Sequence, residues 1–364
     1  MKKIDRREFA SLSAMALAAA QLPARAQTPA TKPIGYAAIG LGTISEIFMR
    51  ACANSSTAKI TALVTGHPAE KGEKYAAMYG IPKTSIYTYE TFDRIRDNKD
   101  VDAVYVGLPN SMHREFTLRG AAAGKHVLCE KPMAISSAEC REMIDACRKA
   151  DRKLMIAYRI QYEPLWAQAI QMIRNGDIGD INSFQGSFVN QQQTGAWRLD
   201  RKLGGGGPIM DLGIYPLNAI RYITGEEPTS FTGIVATREP GERFAQVEQS
   251  MEFTFKMPSG IVASCSCSYG SSGVSTFHIN GSKGVLVFEP GFNYDGMHLR
   301  GQGAGFKRID IASPDRQPYQ VTLEAEHFAQ CIRENKQPHS PGEEGLKDLL
   351  AIEAIYKAAG HPIA

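Results

Sequence analysis

The chain lacks an excess of either charge, a cysteine framework and a long apolar run. Forty-one basic residues against 38 acidic ones leave +3 over 364 residues, too weak a field to argue for nucleic acid or an anionic membrane as partner. The seven cysteines are scattered and odd in number, so no disulfide scaffold is indicated. Cys265 and Cys267 are two apart on a strand-like run, but no second pair or neighbouring histidine supports zinc. The stretch from Phe9 to Leu22 falls short of the ~20 apolar residues that span a bilayer.

What is present is ordinary globular material, 43% hydrophobic and 22% charged, at a length that favours two domains. The first residues stand apart. Lys2, Lys3, Arg6 and Arg7 precede an Ala-rich apolar stretch that ends in Ala24-Arg25-Ala26, the layout of a removable export signal over 1–26. Asp5-Arg6-Arg7-Glu8-Phe9 resembles a twin-arginine signal, which implies export of an already folded protein to the periplasm.

From Ile34 strand-like and helix-like segments alternate ("IGYAAIG", "ISEIFMRACA", "KITALVT", "PAEKGEKYAAMYG", "VDAVYVGLP") up to "LMIAYR". That grammar predicts a parallel sheet with helices on both faces over 27–158. Beyond about Asp180, runs such as "QSMEFTFKM" and "IVASCSCSYG" separated by "PSG" and "GSKG" predict a mostly antiparallel open sheet in an α+β domain over 159–364.

Gly40-Leu41-Gly42 falls at the first strand-to-helix turn, followed by Thr43, Ile44 and Ser45. Glycines there admit positive φ and close approach of a pyrophosphate, and the free N–H groups of the helix start attract its charge. Ser45, at the third glycine position of the fingerprint, is small enough for close packing. The second strand ends in Thr65-Gly66-His67 with Lys71 a turn later. No carboxylate is present to repel a 2′-phosphate, so NADP is favoured, with NAD as the alternative.

"GKHVLCEKP" (124–132) sets Glu130-Lys131-Pro132 at a strand's carboxyl end, where ligands bind in open α/β sheets. This stretch, with "GLGTIS", "VDAVYVGLPNSMH", "KLMIAYRIQYEP", "WRLDRKLGGGGPIMDLGIYPLN" and "HSPGEEG", resembles the glucose-fructose oxidoreductase and inositol dehydrogenase family, most of all its glucose-fructose branch. The resemblance implies that Lys131 lies beside nicotinamide and substrate, that Glu130 orients it, and that the Lys131-Pro132 bond is cis. It also implies a cofactor-side loop of Leu108, Pro109, Asn110 and His113, and a dimer or tetramer built on the open sheet face. Asp211 and Tyr215, four apart, share a helix face. Tyr215 would take a substrate hydroxyl proton while Lys131 steadies the charge, with Asp211 beside them. Trp197 and Arg198 suit a sugar's apolar face and hydroxyls, and Tyr158, Arg159 and Tyr162 are expected to line the same pocket. Arg159, Trp197 and Arg198 are also expected at the cofactor. The Gly204–Gly207 run is expected to let the chain approach the ligand. The implied activity is NADP-dependent oxidation of an aldose at C1 to a lactone, with a second sugar as acceptor. The arm Gln27–Pro33 is shorter than the cofactor-covering arm of that branch. A nicotinamide-dependent glycoside hydrolase and a non-catalytic NADP-dependent sensor remain open as alternatives.

Overall fold

The computed structural model describes residues 32–239, 241–313 and 319–363; the proposed export signal lies outside them. Two sheets carry the architecture. In the first, β3 (Ile86–Tyr87), β2 (Ala58–Val64), β1 (Ile34–Ile39), β4 (Ala103–Val106), β5 (His126–Glu130) and β6 (Leu154–Ala157) lie in that order, all parallel. The strands β1, β4 and β6 are buried at every residue, as continuous apolar runs in a two-sided sheet must be.

Successive side chains of β4 point to opposite faces. Val104 and Val106 join one apolar core and Tyr105 the other. Tyr105 stacks on Phe48 of helix α1 (Thr43–Ala53), with centroids 3.8 Å apart. A late segment completes this face: Val321, Ala325 and Phe328 of the helix Tyr319–Arg333 pack into the same core. Tyr36 Oη donates to the Ala325 carbonyl at 3.0 Å, and Thr322 Oγ1 to the Ala51 carbonyl at 3.3 Å. The parallel sheet is thus sealed by residues from the far end of the sequence.

The second sheet runs β14 (Phe306–Ala312), β13 (His298–Gly303), β12 (Gly284–Phe288), β11 (Gly270–Gly281), β7 (Ile181–Gln191), β10 (Val262–Ser268), β9 (Ser250–Lys256), β8 (Ser230–Ala236). Only the β7–β10 pair is parallel, so the expected mostly antiparallel sheet is present. The helix Ile214–Thr224 lies on one face of it. Gly186 of β7 makes room: a Cβ there would stand 2.6 Å from Pro216. Cys265 and Cys267 do share a face, but both are buried free thiols in the core, and no metal-ligating cluster occurs among the described residues.

Candidate active site

The turn after β1 forms as its residues dictate. Gly40 has φ 77°, a left-handed value that a side chain resists. The helix α1 starts at Thr43 with Gly42 as N-cap and no side chain capping it. A Cβ added at Gly42 would meet nothing within 4 Å, so the helix N-terminus opens onto free space. Ser45 is buried beneath it, and a Cβ at Gly107 would lie 2.3 Å from Ser45 Oγ, so both positions must stay small. This bare, positively polarised helix end fits a dinucleotide's pyrophosphate. At the end of β2, Thr65 is buried and its Oγ1 accepts from the His67 N–H at 3.1 Å. Gly66 and His67 are exposed and Lys71 is half-buried, leaving an open edge without a carboxylate at Thr65-Gly66-His67.

A crevice of about 550 Å³ receives Ile44 from the glycine turn, Leu108 and Asn110 from the loop after β4, and Glu130 and Lys131 from the end of β5. Across it lie Arg159, Trp197, Arg198, Asp211 and Tyr215. These ten predicted residues are brought together. The size is that of a small-molecule site.

At its floor Lys131 Nζ donates to Asp211 Oδ1 at 3.0 Å and to the Asp211 carbonyl at 2.8 Å. The same ammonium sits 4.6 Å from the centre of the Tyr215 ring. Asp211 belongs to a wide π-helical turn, Ile209–Gly213, that leads into the helix carrying Tyr215. Such turns displace a residue from regular helical register, and here the displaced residue turns both its carboxylate and its carbonyl to the lysine. Arg198 Nε stands 2.7 Å from Asp211 Oδ2. It is close enough for an ion pair, although its N–H is not aligned as a hydrogen bond. Burial disfavours the Asp211 carboxylate, but Arg198 and Lys131 outweigh it and hold the group down at about 2. Burial likewise opposes the Lys131 ammonium, and Tyr215 and Asp211 more than offset it, leaving the amine above its ordinary value. Arg159 Nε donates to Tyr215 Oη at 3.2 Å, which fixes the direction of the phenol.

Glu130 departs from the expected role. Its carboxylate accepts from Tyr105 Oη at 2.7 Å and from the Lys131 backbone N–H at 3.2 Å. It therefore braces the main chain, while Asp211 orients the ammonium. Burial raises Glu130 above the usual carboxylate range. The Lys131-Pro132 bond is cis, as the resemblance implied.

Four further expectations are corrected. Tyr158 is absent from the wall of this crevice and lines instead a small adjoining cavity shared with Lys131 and Tyr215, while its buried Oη donates to Asp348 Oδ2 at 2.5 Å. Asp348 also takes Asn218 Nδ2 at 2.9 Å and pairs with Arg221, so Tyr158 is tied into an enclosed polar network. Tyr162 packs on His327 and His339, with centroids 5.4 and 6.3 Å away, at a site outside the crevice wall. His113 is fully buried, and its ring nitrogens face the carbonyls of Pro132 and Leu108 at 2.9 and 2.8 Å. It thereby ties the two loops that carry Lys131 and Leu108 instead of meeting a ligand itself. In the glycine run, a Cβ at Gly205 would strike Ile135, at Gly206 the Tyr356 hydroxyl, and at Gly207 the Glu248 carboxylate. Those glycines admit protein neighbours, not a ligand. Pro109 precedes Asn110, whose Nδ2 donates to the Gly204 carbonyl at 2.8 Å.

The crevice also holds residues that the sequence reading passed over: Phe188, Asn190 and Gln192 from β7 and its end, and Phe292, Asn293, Tyr294 and Asp295 from the loop after β12. Positions 188, 190 and 192 alternate at the period of a strand, and the amide run Asn190-Gln191-Gln192-Gln193 was the available signal. The loop is seated by Arg159, which donates to the Asn293 carbonyl at 3.0 Å and to the Phe292 carbonyl.

Comparison with known proteins gives two profile matches. The profile of an oxidoreductase family with an NAD-binding Rossmann fold matches residues 34–158, and that of the GFO/IDH/MocA C-terminal domain matches 166–287. A D-xylose 1-dehydrogenase [NADP(+)] of Haloarcula marismortui is 32% identical, over 92% of this chain and 93% of its own. A 1,5-anhydro-D-fructose reductase of Ensifer adhaerens is 28% identical, over 88% of this chain and 95% of its own. The crystal structure of an aldose-aldose oxidoreductase from Caulobacter crescentus, complexed with glycerol, superposes with a TM-score of 0.86 at 42% identity, over 90% of this chain and 98% of that one. With a bare glycine turn, a lysine held by an aspartate across the crevice, and relatives matched along nearly their whole length, the chain belongs to the GFO/IDH/MocA family of oxidoreductases with an NAD-binding Rossmann fold.

Proposed function

We propose that the protein is an NADP-dependent sugar oxidoreductase that oxidises an aldose at C1 to its lactone and can return the reducing equivalents to a second sugar. The observation that carries this reading is the Lys131 ammonium, held between the Asp211 carboxylate and the Tyr215 ring on the crevice floor. The names of the xylose dehydrogenase and of the aldose-aldose oxidoreductase support the substrate class. The open end of β2, without a carboxylate at Thr65-Gly66-His67, supports NADP.

Bound nicotinamide supplies the acceptor for the hydrogen leaving C1 with its electron pair. The chain's own residues handle the proton and the charge. Tyr215 Oη, steered by Arg159, takes the proton of the C1 hydroxyl. Lys131 donates to the same oxygen and steadies the charge that develops on it. Asp211 keeps the amine protonated and aimed. When a second sugar is reduced, the phenol returns the proton, so the pair of half-reactions balances without proton release.

The test is to purify the mature protein, release and identify any bound nicotinamide, and incubate it with aldoses. Lactone or aldonic acid with an equal amount of alditol supports the exchange. Lactone only on addition of free NADP makes the protein a simple dehydrogenase. Free sugar from a glycoside, or no turnover, sinks the reading in favour of a hydrolase or a sensor.

Two wider readings accompany it. Export in the folded state is supported by the twin-arginine-like start and by seven buried cysteines that form no bridge; replacing Arg6 and Arg7 by lysine should leave the protein in the cytoplasmic fraction. Self-association through the open sheet is supported by Ile234, Val262 and Val274, which are 71%, 47% and 44% exposed; light scattering should give a dimer or tetramer.

A further inference from the structure

The crevice wall contributed by β7 has a gradient of chemistry. Phe188 packs edge-on against the Tyr215 ring, with centroids 5.2 Å apart, so its end of the wall is aromatic and adjoins the reacting groups. Two residues on, Asn190 turns to the same side, and Gln192 follows past the strand's end. The two amides are joined to each other: Gln192 Nε2 donates to Asn190 Oδ1 at 2.9 Å. The backbone beneath them is fixed, with the Gln192 N–H on the Tyr269 carbonyl at 2.9 Å and the Gln192 carbonyl taking Arg243 Nε at 2.8 Å. An amide has two donors and an acceptor with two lone pairs. One internal bond therefore leaves Asn190 Nδ2 and the side-chain oxygen Gln192 Oε1 as a donor–acceptor couple lining the crevice.

The charge of the crevice narrows the ligand further. Its cations are Lys131, Arg159 and Arg198 and its anions Glu130, Asp211 and Asp295. Arg198 and Lys131 are matched to Asp211, and Arg159 is spent on Tyr215, Gln320 and two carbonyls of the 292–295 loop. Among the described residues the three cations of the crevice are balanced by its three anions, and the guanidinium edge left on Arg198 is already faced by Asp211, so a phosphate or a carboxylate would meet no excess positive charge.

We propose that Asn190 and Gln192 form a specificity subsite for the hydroxyls of a neutral aldose remote from C1, and that the enzyme selects against phosphorylated sugars and sugar acids. This rests on the aldose reading above, because C1 must lie at Lys131 and Tyr215 for the amide couple to meet the distal edge of the ring. Phe188 then covers the sugar's apolar face, and the couple donates to one hydroxyl and accepts from another.

The experiment compares wild type with Asn190→Leu and Gln192→Leu, using glucose and its monodeoxy analogues. In wild type, at least one analogue should show a KM raised about tenfold, what a lost neutral hydrogen bond to a paired site supplies. In each leucine variant the KM for glucose should rise by about the same factor and the penalty should vanish for the analogue lacking the hydroxyl that the replaced amide meets, with the loss on KM and not on kcat. Glucose 6-phosphate and gluconate should compete poorly in wild type. Unchanged KM values, deoxy penalties that persist in both variants, or tighter binding of the phosphate than of glucose would overturn the inference. Should wild type oxidise no aldose, the function proposed above fails separately. The subsite is then read by equilibrium quenching of Trp197 fluorescence with neutral sugars, which both leucine variants must weaken, and an equal response in all three proteins counts against it. Unaltered melting temperature and nicotinamide binding in the variants exclude a folding defect.

Discussion

Asp211 and Asp348 are both aspartates facing an arginine, yet they do different work. Asp211 borders the crevice, takes Lys131 and Arg198, and is held down at about 2. Asp348 has no exposed surface, takes Arg221, Tyr158 and Asn218, and is pushed up by burial despite those partners. Both carboxylate oxygens of Asp348 are answered by protein atoms, so the carboxylate is closed off and joins helices Ile214–Thr224 and Gly342–Ala358. Around Asp211 the lysine is aimed but still open to the crevice. What separates a catalytic cluster from a structural one here is a charged donor facing the crevice, not residue type.

Substitutions should pull the two clusters apart. Lys131→Met should lower kcat by about a thousandfold or more, within the range of a lost acid–base group, while the melting temperature moves little because Arg198 still answers Asp211. Asp348→Ala should do the reverse. It strips one carboxylate from Arg221, whose side chain is 2% exposed, and should cost about 3 kcal/mol, the lower end for a broken buried pair, since Glu227 and Glu344 remain on that guanidinium. Denaturant unfolding measures this, and kcat of the folded fraction should survive.

Tyr215→Phe should reduce kcat about a hundredfold with KM nearly unchanged, because the ring contacts with Phe188 and Lys131 persist and only the proton acceptor is removed. The pH dependence of Asp211 is smaller and has a fixed sign. Its value in the folded state lies below the ordinary 3.8, so its contribution is complete above that value and fades as the pH falls through about 2. The stability difference between wild type and Asp211→Asn should be flat from about pH 5 to pH 8 and should close in acid. Least of all, Tyr158→Phe should cost about 1 kcal/mol of stability and leave the sugar KM unaltered. A changed KM would return Tyr158 to the substrate wall.

Much of the site was legible in the sequence because its signals are local. Gly40-Leu41-Gly42 and Glu130-Lys131-Pro132 mark strand ends, and a strand end in a parallel sheet has only one place to be. The Asp211–Tyr215 spacing was informative too, although the turn at Ile209–Gly213 is π-helical and the two were expected on a regular helix face. Tyr158 and Tyr162 failed for a different reason: nearness to Arg159 in sequence does not give the direction of a side chain, and the partners that fixed them, Asp348, His327 and His339, lie far along the chain. Asn190 and Gln192 had a local signal in the amide run at strand period, but their place at the crevice depends on pairing with distant strands, and the 292–295 loop is seated by the remote Arg159.

The helix Tyr319–Arg333 carries a consequence for biosynthesis. Because Val321, Ala325 and Phe328 cover the Tyr36 and Phe48 side of the nucleotide lobe, a nascent polypeptide emerging from the ribosome exposes that greasy surface until the helix Tyr319–Arg333 has followed it out. The lobe that captures the coenzyme is thus sealed only after the second sheet has been synthesised, and a ribosome-bound polypeptide that stops short of Tyr319 carries it unfinished.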